Sequence, residues 1–203
     1  MIRFLLISIF FSLLFSCKTY QIKDAVATDN VIQVVQNQYF SDKSLDYVYK
    51  THIEIYDSKM SGIFIAKRLN DSIHRLVLTT DFGNKLLDFE ISENHFKVNF
   101  IMDNLNKKII INTLRDDFRT LLQVNNKIFK TYKSKNEIIH QTENNQYYYV
   151  DEVSNALKKI IKTNKRKEKV IFTFNSKKAT FADNINIQHY TIKLRIDFNQ
   201  IIN

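Results

Sequence analysis

From residue 49 to residue 102, apolar and polar residues alternate with a period of two. Side chains two residues apart point to the same face of a β-strand, so the alternation predicts half-buried strands. Polar breaks such as Asp57-Ser58-Lys59 and Gly83-Asn84 are typical of hairpin turns. This half of the chain therefore predicts an antiparallel meander, whose shared apolar face is formed by Thr51, Ile53, Ile55, Ile63, Ile65, Leu76, Leu78, Leu87, Phe89, Ile91, Phe96, Val98, Phe100 and Met102.

Strand patterns resume in the second half of the chain, over residues 127–133, 137–142, 146–150, 155–162 and 169–174. In the final segment the apolar residues change parity, from Ile185 and Ile187 to Tyr190, Ile192, Leu194, Ile196 and Phe198. One extra residue near Gln188 or His189 produces such a shift, so the pattern predicts a β-bulge there.

Two segments have the period of a helix instead. Residues 31–39 predict a short helix, with Ile32, Val35 and Tyr39 on one face. Residues 103–123 predict a longer one that begins at Asp103 or Asn104. Its single apolar stripe must lie on the sheet, and it consists of Ile110, Ile111, Leu114, Phe118, Leu121 and Leu122.

About ten strands and one or two helices predict a mainly β fold, an unclosed antiparallel β-barrel with helices covering an apolar cavity. Proline is absent and glycine occurs only twice, so we expect the 21 asparagines to supply most turn residues with positive φ. The inward apolar residues either fill a packed core or leave a ligand cavity, and the pattern alone leaves both open. As cavity residues it nominates Ile53, Ile55, Ile63, Ile65, Leu76, Leu78, Leu87, Phe89, Phe96, Val98, Phe100, Phe172, Phe174, Leu194, Ile196 and Phe198.

The first sixteen residues have the pattern of a secretory signal peptide, with Arg3 followed by an apolar run that is too short to span a bilayer. Leu14-Phe15-Ser16-Cys17 resembles the lipobox of bacterial lipoproteins, which implies a diacylglyceryl group on Cys17. Residues 17–30 then predict a polar tether, and residues 31–203 one domain. Because Cys17 is the only cysteine, no disulfide or thiolate metal cluster forms within the chain.

The formal net charge of +9 favours anionic surfaces. A nucleic-acid partner conflicts with export, so we expect either anionic lipid or lipopolysaccharide as the partner, or a basic surface with no binding role. Lys162 to Lys169 is a basic hairpin tip that is most simply a solvated turn.

The sequence offers little support for enzymatic chemistry, and we predict neither an enzyme nor a cofactor. No two of the five histidines have metal-ligand spacing on one element, so no metal site is predicted. Asp116 and Asp117 point about 100° apart on a helix, and we expect both to be solvated beside Arg115 and Arg119. No nucleophile elbow, phosphate-binding glycine loop or H-E-x-x-H motif is present.

Three stretches carry a resemblance to a known family: Ser61-Gly62-Ile63-Phe64-Ile65, residues 74–83 (HRLVLTTDFG) and residues 190–198. They resemble the LolA/LolB-like family of periplasmic lipoprotein carriers, and within it the outer-membrane lipoprotein receptors. The resemblance implies an unclosed barrel that binds acyl chains of lipoproteins or other lipids and passes this cargo to the outer membrane. It also implies a periplasmic carrier protein as a partner, and a location facing the periplasm on a lipid anchor in the outer membrane.

Within the second stretch, Phe82 matches the family's protruding apolar residue, which helps to deliver the lipoprotein to the membrane. An ordinary turn residue tucked under the barrel rim is the alternative. Where the family has proline two residues before the glycine this chain has Asp81, and it has no tryptophan. A structural or envelope-assembly lipoprotein that binds a protein partner on the same scaffold is the second functional hypothesis.

Overall fold

The computed structural model describes residues 20–29, 32–164 and 166–201. The signal peptide and Cys17 lie outside the described residues. Within them the chain forms fourteen strands: β1 Val26–Thr28, β2 Val34–Gln36, β3 Tyr47–Ile55, β4 Ser58–Arg68, β5 His74–Thr80, β6 Lys85–Ile91, β7 Phe96–Ile101, β8 Asn125–Ser134, β9 Glu137–Thr142, β10 Gln146–Asp151, β11 Leu157–Asn164, β12 Lys167–Asn175, β13 Asn184–His189 and β14 Leu194–Gln200.

All strand pairs are antiparallel, and the order across the sheet is β1-β8-β9-β10-β11-β12-β13-β14-β3-β4-β5-β6-β7, with β2 paired to β8. The two halves of the chain join where β14 pairs with β3, from Leu194 opposite Ile55 to Gln200 opposite Tyr49. The end strands β1 and β7 do not pair with each other, so the sheet stays open. The predicted mainly β, unclosed antiparallel fold is confirmed, with more strands than the ten expected.

One α-helix, α1 (Lys108–Leu122), covers the inner face of the sheet in the described part of the chain. Its buried stripe includes Ile110, Leu114, Phe118 and Leu121, as the period of 3.6 predicts. The Phe118 ring lies 5.5 Å from that of Phe64 on β4. Two 3₁₀ turns precede elements of this core: Gln38–Phe40 lies before β3 and Asp103–Leu105 lies before α1.

The predicted helix over residues 31–39 is wrong. Its middle residues form β2, which pairs with Asn125, Asn126 and Lys127 of β8. A short apolar stripe is marginal as a helix, and β-branched valines fit a strand better. Asn37 then donates its side-chain amide to the Leu121 carbonyl at 2.8 Å, so this segment instead caps the end of α1.

Three smaller predictions also change. No side chain caps the start of α1, which follows Lys107 rather than Asp103 or Asn104. The change of parity near His189 marks a hairpin between β13 and β14, not a bulge in one strand. Part of the predicted tether lies on the sheet, because Val26–Thr28 pairs with β8.

Candidate functional site

The inner face of the sheet contains most of the residues nominated for a cavity. Eleven of the sixteen belong to one buried apolar cluster, and Phe96 packs partly buried against it. The rings contact each other directly, with centroids 4.9 Å apart for Phe64 and Phe198 and 5.2 Å apart for Phe89 and Phe96. The eleven are Ile53, Ile55, Leu76, Leu78, Leu87, Phe89, Phe172, Phe174, Leu194, Ile196 and Phe198.

Ile63 and Ile65 do not lie in this cluster, and their nomination is wrong. The buried residues of β4 are Gly62, Phe64 and Ala66, with Phe64 opposite Leu78 of β5. Residues 63–65 are all apolar, so either parity satisfies the alternation, and the larger phenylalanine takes the inner position.

Val98 and Phe100 are exposed on the end strand β7, so their nomination is also wrong. A bulge between Asp88 and Phe89 shifts the register, and Phe100 lies opposite Asp88 instead of a core residue. Lys85 Nζ lies 5.9 Å from the Phe100 ring. Val98 is exposed because β7 is the end strand of the sheet within the described residues.

A buried, hydrogen-bonded pair of side chains joins α1 to the sheet. His189 Nε2 donates to Asp117 Oδ2 at 2.7 Å, and the two side chains are 1% and 2% exposed. His189 Nδ1 is buried and has no hydrogen-bond partner in the described part of the chain. The expectation that Asp117 is solvated is wrong, because Asp117 lies three residues after Leu114 and four before Leu121, on the apolar face of the helix.

Further polar contacts hold the same helix. Lys162 on β11 donates to Thr120 Oγ1 at 2.9 Å and to the Asp116 carbonyl at 3.1 Å. Burial lowers the pKa of Lys162. Arg119 donates to the Ser92 carbonyl at 2.9 Å, in the β6–β7 turn. Helix α1 is therefore fixed to both halves of the sheet.

Phe82 lies at the tip of the β5–β6 turn and is 94% exposed. Gly83 follows with a φ of 84°, a conformation that glycine adopts readily. Asp81 accepts hydrogen bonds from Lys50 and from Ser61 Oγ, the latter at 2.7 Å. These bonds tie the base of the turn to β3 and β4, and they also lower the pKa of Asp81.

Two clefts of about 600 and 300 Å³ lie elsewhere on the surface, and none of the sixteen nominated residues lines either of them. The larger one lies between the N-terminal segment and strands β9 to β12, where Tyr20 and Ile22 face Ile139, Tyr149 and Ile161.

Sequence reasoning missed the residues that fix α1. The available signal was the position of Asp117 within the apolar stripe, together with the polar His189 at the change of parity. Among the described residues, no group of three or more His, Cys, Asp or Glu side chains is arranged to hold a metal ion. Within the same residues, no helix is both long and apolar enough to cross a membrane.

Comparisons with known proteins include a likeness of overall fold to a solved structure. No family model and no curated protein matches the chain. Among solved structures, the chain is similar to an outer membrane lipoprotein-sorting protein domain from Vibrio parahaemolyticus. That likeness has a TM-score of 0.41 and 7% sequence identity, and it covers 76% of this chain and 82% of the other.

Proposed function

We propose that this protein is a lipid-anchored, non-enzymatic carrier or receptor that binds acyl chains beneath α1 and passes lipoproteins to the outer membrane. The observation that carries the proposal is the apolar inner face of an open sheet, covered by one helix that polar contacts hold in place. The lipobox-like sequence at Cys17 and the three motif resemblances support the same role. In this proposal the protein faces the periplasm.

The proposed function needs only the transfer of apolar surface from water into the protein interior. Each acyl CH₂ removed from water contributes about 0.8 kcal/mol, so one chain supplies ample affinity without a covalent step. Because Phe64, Phe89 and Phe118 pack together, an acyl chain enters only when α1 moves away from the sheet. The polar contacts of α1 then set the free energy that opening of the helix requires. When these contacts form again over the empty core, they favour release of the acyl chain.

Tryptophan fluorescence tests this proposal, because the chain has no tryptophan of its own. The cluster extends from Val35 to Phe198, so a chain that begins at Lys18 keeps the whole core. In that chain Phe118→Trp places a reporter on the buried face of α1, and Val153→Trp places the control at an exposed turn. A peptide that carries a brominated acyl chain should quench the first reporter and not the second.

The unlipidated peptide should quench neither reporter. If Phe118→Trp lowers stability, Phe198→Trp reports from the opposite wall of the same core. Absence of quenching in both interior variants, together with no retention of the acyl peptide in native mass spectrometry, would overturn acyl-chain binding.

The second candidate function is that of an envelope-assembly lipoprotein that binds a protein partner. The larger cleft favours it, because this cleft lies on the outer side of the sheet, away from the packed interior. A photo-crosslinking residue at Lys23, beside this cleft, should then capture one partner in cells. Capture that persists in the presence of an excess of the acyl peptide would separate this role from acyl binding.

A further inference from the structure

We propose that one edge of the sheet is a docking surface for an anionic lipid bilayer. This surface, called here the aromatic edge, consists of the β3–β4, β11–β12 and β13–β14 turns, with Tyr56 and Tyr190 as its exposed rings and Arg166, Lys167, Lys169 and Lys193 as its cations. The inference extends the proposed function, since it rests on the lipid anchor at Cys17.

The three turns lie together because alternate hairpin turns of an antiparallel sheet fall at the same edge. Strands β11, β12, β13, β14, β3 and β4 are consecutive neighbours, so the turns follow at intervals of two strands, about 10 Å. The Tyr56 backbone N–H donates to the Lys193 carbonyl at 2.8 Å, which joins two of the turns directly. The β5–β6 turn, with Phe82, continues the same row.

The N-terminal segment reaches this edge. Tyr20 donates its hydroxyl to Glu168 Oε1 at 2.8 Å, beside the β11–β12 turn, and its ring packs 5.0 Å from that of Tyr147. Cys17 precedes Tyr20 by three residues, which span at most about 11 Å. A lipid on Cys17 therefore holds the aromatic edge, and not the opposite one, close to the bilayer.

Exposed aromatic rings at hairpin tips suit a membrane interface. Three such rings lie in the turns of the described chain, those of Tyr56, Phe82 and Tyr190, and all three are at this edge. Tyrosine favours the headgroup region, where its ring is partly buried and its hydroxyl stays hydrated. Turns at the opposite edge expose Leu69 and Val153 instead.

The charges complement an anionic surface. Four of the five residues 165–169 are lysine or arginine, and Glu168, the single acid among them, already accepts the Tyr20 hydroxyl. Lys167 and Lys169 are exposed and, among the described residues, neither has a carboxylate within salt-bridge distance. Basic side chains close to an anionic bilayer each strengthen binding about fivefold.

Vesicle sedimentation tests the surface with the unlipidated chain that begins at Lys18. Vesicles of phosphatidylglycerol and phosphatidylethanolamine should bind it, and phosphatidylcholine vesicles should bind it far less. Lys167→Gln with Lys169→Gln should weaken the partition coefficient about 25-fold and reduce its dependence on salt. The matched control, Lys177→Gln with Lys178→Gln, removes the same charge from the β12–β13 connection at the opposite edge and should change binding less than twofold.

A variant without the rings separates the two contributions. Tyr56→Asn with Tyr190→Ser should weaken binding while the salt dependence stays as in the wild type. An equal loss in both lysine variants would reduce the effect to net charge and overturn the inference, as would absence of binding to the anionic vesicles. Quenching of Phe118→Trp by the acyl peptide should persist in the Lys167/Lys169 variant, so a failure of cargo binding stays distinguishable from a failure of docking.

Discussion

Five residues other than glycine have a positive φ in the described part of the chain, and asparagine supplies only two of them, Asn145 and Asn155. The asparagine content therefore explains fewer of these positions than we expected. Tyr56, with a φ of 53°, is the least suited, because a bulky side chain in the left-handed region costs about 1–2 kcal/mol. Such strain at an exposed ring favours a role for that ring outside the fold.

Replacement of Tyr56 should separate stability from docking. We expect Tyr56→Asn to raise the free energy of unfolding by about 0.5–1 kcal/mol, because asparagine tolerates this backbone conformation better. Urea denaturation measures the change. Lys135→Asn, at a φ of 31° in the β8–β9 turn, is the control, since it should not affect vesicle binding. A stability loss in Tyr56→Asn would show that the ring supports the fold.

The buried pair of Asp117 and His189 should be strongly coupled. We expect Asp117→Ala and His189→Ala each to lower the free energy of unfolding by about 3–5 kcal/mol, because each leaves a polar partner buried alone. The double variant should lose less than the sum, with a coupling energy of about 1–3 kcal/mol. Urea denaturation of all four proteins completes the cycle, and additive losses would contradict it.

His74 gives the stability a defined pH dependence. Burial, and then the charge of Arg68, lower the pKa of His74 to about 4, while a histidine in the unfolded chain has a pKa of about 6.5. The unfolded chain thus binds more protons between these values, so stability present above pH 6.5 is lost as the pH falls towards 4. His74→Gln should show a smaller fall in Tm between pH 7 and pH 5, and an unchanged fall would disprove this contribution.

At the scale of the element, β4 depends on a close approach to β5. A Cβ on Gly62 would lie 1.6 Å from the carbonyl oxygen of Thr79, which is backbone and cannot move away cheaply. The register of β5 with β6 shifts between Leu78 and Thr79, next to this contact. Glycine is therefore required here for space.

Gly62→Ala should lower the free energy of unfolding by about 3 kcal/mol, because the two strands must separate locally. Thermal and urea denaturation measure the loss. Gly83→Ala is the contrasting case, since a Cβ there meets nothing within 4 Å and only the φ of 84° opposes it. We expect that variant to lose about 1 kcal/mol, so similar losses would refute the steric cause.

Strands and α1 were predictable from the sequence because their periods are set by local geometry. The inner face of β4 was not, since Ile63, Phe64 and Ile65 satisfy either parity. The β13–β14 turn was missed because its residues Tyr190 and Ile192 continue the apolar alternation with neither glycine nor proline. The Asp117–His189 pair joins residues 72 apart in sequence, and no periodic pattern reports a contact at that separation.

The whole molecule is an open sheet whose two halves are bridged by α1. Arg119 contacts the β6–β7 turn, while Lys162 and His189 contact the helix from β11 and β13. A substitution that removes one of these contacts takes away neither the backbone pairing of the strands nor the apolar residues of the core. Opening of the helix therefore requires less than global unfolding, and it is the motion that acyl-chain entry needs.

Lys162→Met tests whether α1 opens as a unit. Methionine keeps an apolar stem against the helix and removes the bonds to Thr120 and the Asp116 carbonyl, so α1 amides should exchange about tenfold faster with solvent. Amides of β3 and β14 should not change. Lys158→Met, at an exposed position of the same strand, is the control and should leave exchange unaltered.

Uptake of the brominated acyl peptide should accelerate in Lys162→Met alone. Faster exchange without faster uptake would mean that α1 opens but does not gate the interior, whereas a uniform increase across all strands would mean that the substitution destabilises the sheet itself.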